Sequence, residues 1–233
     1  MWKIFNCFIS ILILAIRICH GQQDSGEVKY GLRFGYDISR PILDYLQPNR
    51  RDEEFSVDLQ VRQNWFAIAE GGWNNSKINN SPKLVYHSSG YFWRIGFDYN
   101  LLKHDNINDN NLIYGGFRLG HANLSHSASS FQIADIYWGN VNGSIPLHDV
   151  AATWFEIAAG IKIEALKNFF IGWSVRERIL LNSNINSQLT PYVIPGFGKG
   201  NSKSAFDVNY SLYYRIPFLR IKLKTKKTSS PIK

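Results

Sequence analysis

Histidine, serine and aspartate side chains occur together in one polar stretch near the middle of the chain, and these residue types could do chemistry. A serine activated by a histidine, or an aspartate–histidine dyad, would supply the nucleophile and base of an enzyme acting on lipid or peptide. Their spacing matches no catalytic motif, so an ordinary solvated loop is the favoured interpretation. No metal-binding motif is present and no cofactor is expected. The residues are His121, Ser125, His126, Asp135, His148 and Asp149.

A larger set of charged residues recurs at every second position of several segments. In 28–38, large apolar residues alternate with Lys29, Arg33, Asp37 and two glycines. A period of two is typical of a β-strand whose two faces meet different surroundings. The charges on the polar faces nearly balance, as a network of ion pairs requires. The full set is Lys29, Arg33, Asp37, Asp58, Arg62, Glu70, Arg94, Asp98, Arg118, Glu156, Lys162, Glu164, Arg176, Arg178, Asp207 and Arg215.

Eight alternating segments follow one another and predict an all-β fold. Residues 65–73 leave the phase of their strand ambiguous, although Glu70 favours a polar even-numbered face. The connections alternate between long ones, at 39–54, 74–89, 121–152 and 182–204, and shorter ones, as the two ends of an up-and-down barrel do. The predicted strands are 28–38, 55–62, 65–73, 90–100, 112–120, 153–164, 169–178 and 206–216.

The polar faces distinguish a membrane barrel from a soluble one, in which the apolar face lines the interior. They contain many glycines, which would make room for long arginine and tyrosine side chains inside a narrow lumen. The apolar faces are rich in aromatic residues near the strand ends, as an interfacial girdle requires. We therefore predict an eight-stranded antiparallel up-and-down β-barrel of the transmembrane, outer-membrane type. Its charges would fill the lumen as a salt-bridged plug rather than line an ion path.

The N-terminal residues of the chain predict export. Lys3, the apolar run 4–16 and the small residues Cys19 and Gly21 form a signal peptide that we expect to be cleaved after Gly21. Cleavage would remove both cysteines and so exclude disulfides. The predicted organisation is a signal peptide at 1–21, a periplasmic segment at 22–27, a β-barrel at 28–218 and a basic tail at 219–233. The basic excess is spread along the chain, so no nucleic-acid partner is expected.

Four segments resemble a known family. They are YGLRFGYD at 30–37, IGFDYN at 95–100, WFEIAAGIK at 154–162 and IPGF at 194–197. In this order they resemble a family of Bacteroidota proteins recorded only as a domain of unknown function. The resemblance covers most of the mature chain and implies export and a barrel-like all-β fold. It implies no activity and no catalytic residues.

The sequence thus predicts a small non-enzymatic outer-membrane barrel with a structural or surface-binding role. Its partners would be outer-membrane lipid and the barrel assembly machinery, and any ligand would meet the long outer loops. Two alternatives remain open. An enzyme at the rim would need one of the histidines at hydrogen-bond distance from a serine or aspartate. An exported soluble barrel that binds an apolar ligand would need a cavity lined by Leu32, Phe34, Trp93 and Phe97.

Overall fold

The computed structural model describes residues 27–47, 49–62, 64–80, 84–102, 110–135, 139–183, 185 and 190–222. The predicted signal peptide, residues 22–26 and residues 223–233 of the predicted tail lie outside these ranges. In the described part, no helix has the length and apolar character needed to cross a bilayer. The elements are β1 (Glu27–Asp37), α1 (Ser39–Leu46), β2 (Arg50–Arg62), β3 (Trp65–Asn80), β4 (Leu84–Asn100), β5 (Leu112–Asp135), β6 (Gly139–Leu166), β7 (Phe169–Ser183), β8 (Val193–Ile194), β9 (Gly198–Lys199) and β10 (Ser204–Lys222).

Eight of these strands close into an antiparallel barrel in the order β1-β10-β7-β6-β5-β4-β3-β2. The closing contact joins β1 to β10, with Leu32 opposite Ile216 and Asp37 opposite Ser211. Each other pair of neighbouring barrel strands is consecutive in the sequence once the separate hairpin strands β8 and β9 are left out. The predicted up-and-down topology is therefore confirmed. We call the end with the connections 63–64, 101–111 and 167–168 the inner end, and the opposite end the outer end.

An apolar belt covers the outward face of the barrel. Phe34, Ile95, Phe117 and Ile157 project outward from four different strands and are each about half exposed. Such a continuous ring of large apolar side chains is unfavourable in water and suits hydrocarbon. Together with the charged interior described below, the belt makes this a barrel of the transmembrane type.

The soluble alternative fails on the orientation of four side chains. Phe34, Trp93 and Phe97 are 42–44% exposed on the outward face, and Leu32 is only partly buried. The alternating residue on β1 that points inward is instead Arg33, which is 4% exposed. These four residues therefore belong to the belt and line no interior cavity.

Glycines on the inner face make room for long side chains, as their position in the sequence predicts. A Cβ atom built on Gly35 or on Gly172 would lie 2.5 Å from the ring of Tyr213, which sits between them. A Cβ atom on Gly96 would lie 2.8 Å from Cγ of Arg118. Since such distances are shorter than van der Waals contact, these positions require glycine for the observed packing.

Four strands are much longer than predicted, and the prediction of long loops at 74–89 and 121–152 is wrong. β3 extends to Asn80 and β4 begins at Leu84. In the same way, β5 extends to Asp135 and β6 begins at Gly139. The outer parts of these strands remain paired, for example at Leu124 opposite Val150. We call them the wall, which comprises residues 74–80, 84–90, 120–135 and 139–153.

The predicted loop at 39–54 is likewise only partly a loop, because it contains α1 and the first residues of β2. β1 ends at Asp37, whereas β2 and β10 continue further toward the outer end. Above β1, residues 50–54 of β2 pair with β3 and residues 204–210 of β10 pair with β7. The described ladders therefore leave a gap between β2 and β10, which we call the notch. α1 occupies it, and the Ile38 amide donates to the Tyr210 carbonyl oxygen at 2.9 Å.

Candidate functional site in the filled lumen and its outer mouth

Seven charged side chains on the described strands form one connected cluster at the centre of the lumen. Arg94 Nε lies 2.7 Å from Glu70 Oε2, and Arg94 Nη1 lies 3.3 Å from Glu156 Oε2. Arg94 also donates to Glu54, and Arg176 bridges Glu54 and Glu70 at 2.5 and 3.3 Å. Because these charges are buried, each depends on its partners for stability. The cluster consists of Glu54, Glu70, Glu156, Arg94, Arg118, Arg176 and Arg178.

A second charged layer lies toward the inner end and is packed against aromatic rings. Arg33 Nε and Lys162 Nζ contact the two carboxylate oxygens of Asp58, at 2.6 and 2.8 Å. The Arg33 guanidinium carbon lies 4.7 Å from the Phe66 ring centroid, and Lys162 Nζ lies 4.7 Å from that of Tyr213. Aromatic faces attract cations, so these rings stabilise charge as well as fill space.

The inner end of the lumen is occupied by a third polar group. Arg215 Nη2 lies 3.1 Å from Glu164 Oε1, and Arg215 Nη1 donates to Asn110 Oδ1 at 2.8 Å. The Arg215 guanidinium carbon also lies 5.1 Å from the centroid of the buried Phe170 ring. Side chains thus fill the lumen in layers from its centre to its inner end.

Residues 190–200, which we call the plug, close the outer end. The plug contains the short β8–β9 hairpin, and its Ile194 and Phe197 are fully buried. Two arginines of the central cluster hold its backbone: Arg94 donates to the Gly196 carbonyl oxygen at 3.2 Å and Arg178 to that of Phe197 at 3.0 Å. The plug is therefore joined to the ion cluster that it covers. Its apolar side chains pack against Phe92, Ala122, Leu124, Val150, Ala152 and Trp154.

Arg40 of α1 joins the two sides of the notch. Its Nη2 donates to Glu54 on β2 at 3.1 Å and to Asp207 on β10 at 2.7 Å. Burial opposes the charge on Arg40, but Glu54, Asp207 and Asp37 together raise the pKa of its guanidinium above the ordinary value. The side chain therefore stays charged and replaces the missing backbone ladder with ion pairs.

A cleft of about 330 Å³ opens beside α1, between β2, β10 and the plug. Four basic and four acidic side chains line it, together with aromatic rings from the belt and the plug. It lies at the upper edge of the belt, because Trp73 and Phe206, two of its lining residues, are exposed on the outward face. The cleft is thus amphipathic, with charges at its base and aromatic rings at its entrance.

The structure places most of the sequence-assigned lumen charges inside the barrel. Glu164 and Asp207 are partly buried near its inner and outer ends, and the side chain of Lys29 lies outside the described part. Arg62 instead is exposed, because the β2–β3 ladder is irregular between Gln60 and Arg62 and the alternation ends before it. The buried residues are Arg33, Asp37, Asp58, Glu70, Arg94, Asp98, Arg118, Glu156, Lys162, Arg176, Arg178 and Arg215.

Sequence reasoning missed Glu54 and Arg40. Glu54 has the same even-numbered phase as Asp58, so extending the alternation of β2 toward its start would have identified it. The sequence instead predicts a long connection at 39–54, which includes Glu54. Arg40 is the second residue of α1 and carries no periodic signal, and only the closure of the barrel brings it between Glu54 and Asp207.

The polar residues of the suspected rim site lie on two faces of the wall. Ser125 Oγ donates to Asp149 Oδ1 at 2.5 Å on the outward face. His126 is buried on the inward face, opposite His148 in the ladder. Burial, and then His148, lower the pKa of His126. Side chains that leave opposite faces of one sheet cannot form a shared hydrogen-bond network through it.

The third histidine and the remaining aspartate are also separate from Ser125. His121 Nδ1 lies 2.9 Å from Thr153 Oγ1 on the outward face, and Asp135 is the last residue of β5, with a side chain outside the described part. In the residues that the structure describes, no histidine lies at hydrogen-bond distance from Ser125, and no group of acidic, histidine or cysteine side chains is arranged to hold a metal.

The fold and the lumen define the class of protein: an eight-stranded β-barrel of the transmembrane type with a side-chain-filled interior. The chain belongs to the family described as "Domain of unknown function (DUF6048)", whose model matches residues 1–221. The family recorded only as a domain of unknown function, which four sequence segments predict, is thereby confirmed. No curated protein matches the chain.

Several solved structures resemble the barrel, and two of them are compared with it below. Ail, the attachment invasion locus protein of Yersinia pestis, is 13% identical with a TM-score of 0.41 over 83% of this chain and 100% of that one. A major outer membrane protein from Thermus thermophilus is 9% identical with a TM-score of 0.46, over 81% of this chain and 98% of the other.

Proposed function

We propose that this protein is a non-conducting, non-enzymatic outer-membrane barrel that holds its wall at the cell surface as a binding surface. One observation carries the proposal: the lumen is filled by ion pairs and covered by the plug, whereas the wall continues far beyond the belt. The barrel then acts as an anchor, the belt contacts outer-membrane lipid, and the barrel assembly machinery inserts it. Any ligand meets the wall.

The dimensions of the wall support this role. On β5, Leu119 is an outward residue of the belt, and residues 120–135 continue beyond it. These sixteen residues reach roughly 50 Å along the strand at about 3.3 Å per residue. Their first outward positions are polar, at His121, Asn123 and Ser125. A paired sheet of this length presents side chains in a fixed arrangement, which suits recognition of a partner.

The contacts at the suspected rim site support a non-enzymatic role. Ser125 Oγ donates a hydrogen bond to Asp149, a carboxylate, rather than to an imidazole base. A serine nucleophile needs a base that can take its proton, and the neighbouring histidine on the chain, His126, is buried on the other face.

Cysteine labelling on intact cells tests the location and orientation. Ser129 is exposed on the wall and Lys167 is exposed in an inner turn. We expect a membrane-impermeant maleimide to label Ser129→Cys on intact cells, and Lys167→Cys only after the outer membrane is permeabilised. The chain without either substitution is the control for Cys7 and Cys19. Labelling of both sites in a soluble fraction would contradict the proposal. Labelling of Lys167→Cys alone on intact cells would show that the barrel has the opposite orientation.

Planar-bilayer recording tests whether the lumen is closed. We expect the purified full chain to insert without producing conductance steps in concentrated potassium chloride, because charged side chains fill the lumen and bind one another. A porin purified in the same way is the positive control. Regular single-channel steps from the wild-type chain would show that the lumen conducts and would replace the anchor role with a transport role.

A further inference from the structure

The cleft beside α1 lies where the charged lumen approaches the lipid. Its base contains Glu54, Arg40 and Asp207, which belong to the ion network across the notch. Its entrance contains Trp73 and Phe206, which are 51% and 68% exposed. In a bilayer, the upper edge of an aromatic girdle lies at the level of the lipid head groups. A lipid beside the notch could therefore reach the cleft with its polar head while its chains stay on the belt.

The deep charges of the cleft already satisfy one another. Arg40 binds Glu54 and Asp207, and Arg178 binds Asp207 at 3.1 Å and Glu156 at 2.9 Å. Removing any of these ion pairs to bind a ligand would leave a buried charge without its partner, which is costly. A ligand must therefore use the remaining charged groups near the entrance.

Two charged side chains that line the cleft have no ion-pair partner among the described residues. Glu53 accepts a hydrogen bond from the Tyr36 hydroxyl at 2.7 Å, and no described cation lies within 4.0 Å of it. Lys199, on the plug, is exposed and has no described carboxylate within the same distance. Arg50 binds Asp52, but its Nε is buried and has no described hydrogen-bond partner. The cleft thus offers one carboxylate and two cationic groups with unused capacity.

The surface next to the cleft is apolar. On α1, Ile42, Tyr45 and Leu46 share one face and are 46%, 88% and 66% exposed. Residues spaced by three and four lie on the same side of a helix. Since Leu43 of this helix lines the cleft, the helix places exposed apolar side chains beside the charged groups. A ligand that combines a polar head with an apolar chain matches this arrangement.

We propose that the cleft binds the head group of a phospholipid that carries both a phosphate and a primary ammonium. Lys199 and Arg50 bind the phosphate, and Glu53 accepts hydrogen bonds from the ammonium. The acyl chains lie against Trp73, Phe206 and the belt. A cleft of about 330 Å³ has a size suited to a small polar group. This inference rests on the proposed location of the barrel in the outer membrane.

Native mass spectrometry of the full chain in detergent tests the proposal with three lipids of the same acyl chains. We expect phosphatidylethanolamine to bind at least tenfold more tightly than phosphatidylglycerol, which lacks the ammonium, or phosphatidylcholine, whose quaternary ammonium has no N–H donor. Glu53→Gln should remove this preference and leave phosphatidylglycerol binding unchanged. Lys199→Gln should weaken binding of all three lipids. Arg62→Gln, at the exposed inner end of β2, is the control and should change nothing.

Two results would overturn the inference. One is equal binding of the three lipids that is insensitive to Glu53→Gln. The other is binding of soluble phosphoethanolamine as tight as that of the lipid, which would make the cleft a site for a free small molecule. Binding of the lipid at least tenfold tighter than the soluble head group supports the lipid assignment. Lipid preference without the expected cysteine labelling would refute only the proposed surface role, and correct labelling without lipid preference would refute only this site.

Discussion

Two regions of the same strands have opposite polarity. In the belt region of β5 and β6, outward residues such as Phe117 and Ile157 are apolar and inward residues such as Arg118 and Glu156 are charged. In the wall, the inward side chains include the apolar Leu124 and Val150, and the outward ones include the polar Asn123 and Ser125. The backbone alternates in the same way throughout, so the difference comes from the surroundings. Hydrocarbon outside the belt requires an apolar exterior, and water around the wall requires a polar one.

The difference also separates two ways of filling an interior. At the level of the wall, an apolar cluster that joins Leu124 and Val150 of the wall to Phe197 of the plug excludes water, as in a soluble domain. In the belt region, the interior contains carboxylates and guanidiniums that are stable only in combination. Replacing one residue in each region therefore gives effects of different size and origin.

Removal of one arginine from the central cluster should have the largest effect. Arg94→Met leaves Glu54, Glu70 and Glu156 buried with fewer cationic partners. We expect the free energy of unfolding to fall by about 3–5 kcal/mol. Urea unfolding in detergent micelles, followed by tryptophan fluorescence, measures this change. Arg62→Met removes an exposed arginine and should cost about 0.5 kcal/mol or less. Equal losses in the two variants would show that the buried ion cluster contributes nothing particular to stability.

An arginine placed on the outward face should reduce stability in the belt but not in the wall. Phe117 and Asn123 both project outward from β5, the first within the belt and the second beyond it. We expect Phe117→Arg to destabilise the barrel in lipid vesicles by about 2–4 kcal/mol, since hydrocarbon cannot solvate the guanidinium. Asn123→Arg should change stability by about 0.5 kcal/mol or less. The heat-dependent gel mobility of each variant, combined with urea titration, gives the comparison. A similar loss for both would place the membrane boundary beyond Asn123.

The smallest expected difference between two paired variants concerns the plug, where two glycines provide a matched pair. Gly196 and Gly139 both have positive φ, 70° and 76°. A Cβ atom on Gly196 would overlap the Phe92 ring, whereas one on Gly139 meets no described atom within 4 Å. Both alanine variants incur backbone strain of about 1–2 kcal/mol, and Gly196→Ala should lose about 1–3 kcal/mol more through overpacking.

Trypsin cleavage at Lys199 and urea unfolding together measure the effect on the plug. Gly196→Ala should speed the cleavage, because its clash loosens the plug, whereas Gly139→Ala should leave the cleavage rate unchanged. Equal stability losses and equal cleavage rates would mean that the plug moves away from Phe92 without cost.

The sequence predicts the barrel strands well and the wall poorly. Alternation locates parts of all eight barrel strands and the phase of the charged faces, because each belt residue meets either lipid or lumen. For the ambiguous strand, the structure places Phe66, Ile68 and Glu70 together on the inner face, so Glu70 indicates the phase correctly. The same criterion fails above the belt, where His121 and Asn123 look like loop residues because they face water.

The candidate site shows a similar division. A carboxylate such as Glu70 can be assigned to the lumen from its position in the pattern. Its contacts with Arg94 and Arg176 cannot, because these residues lie on other strands and meet only after the barrel closes. The cleft depends further on α1 in the notch and on the position of the plug, neither of which the two-residue alternation predicts.

By itself, the sequence determined that this protein is an eight-stranded barrel with an apolar exterior and a charged interior, since a two-residue period records the medium on each face of a strand. Only the tertiary structure decided that the wall is paired sheet, that the plug closes the lumen and that Arg40 joins the two sides of the notch. The physical reason is range: polarity patterns describe what surrounds a strand locally, whereas ion pairs and clefts depend on where distant segments meet.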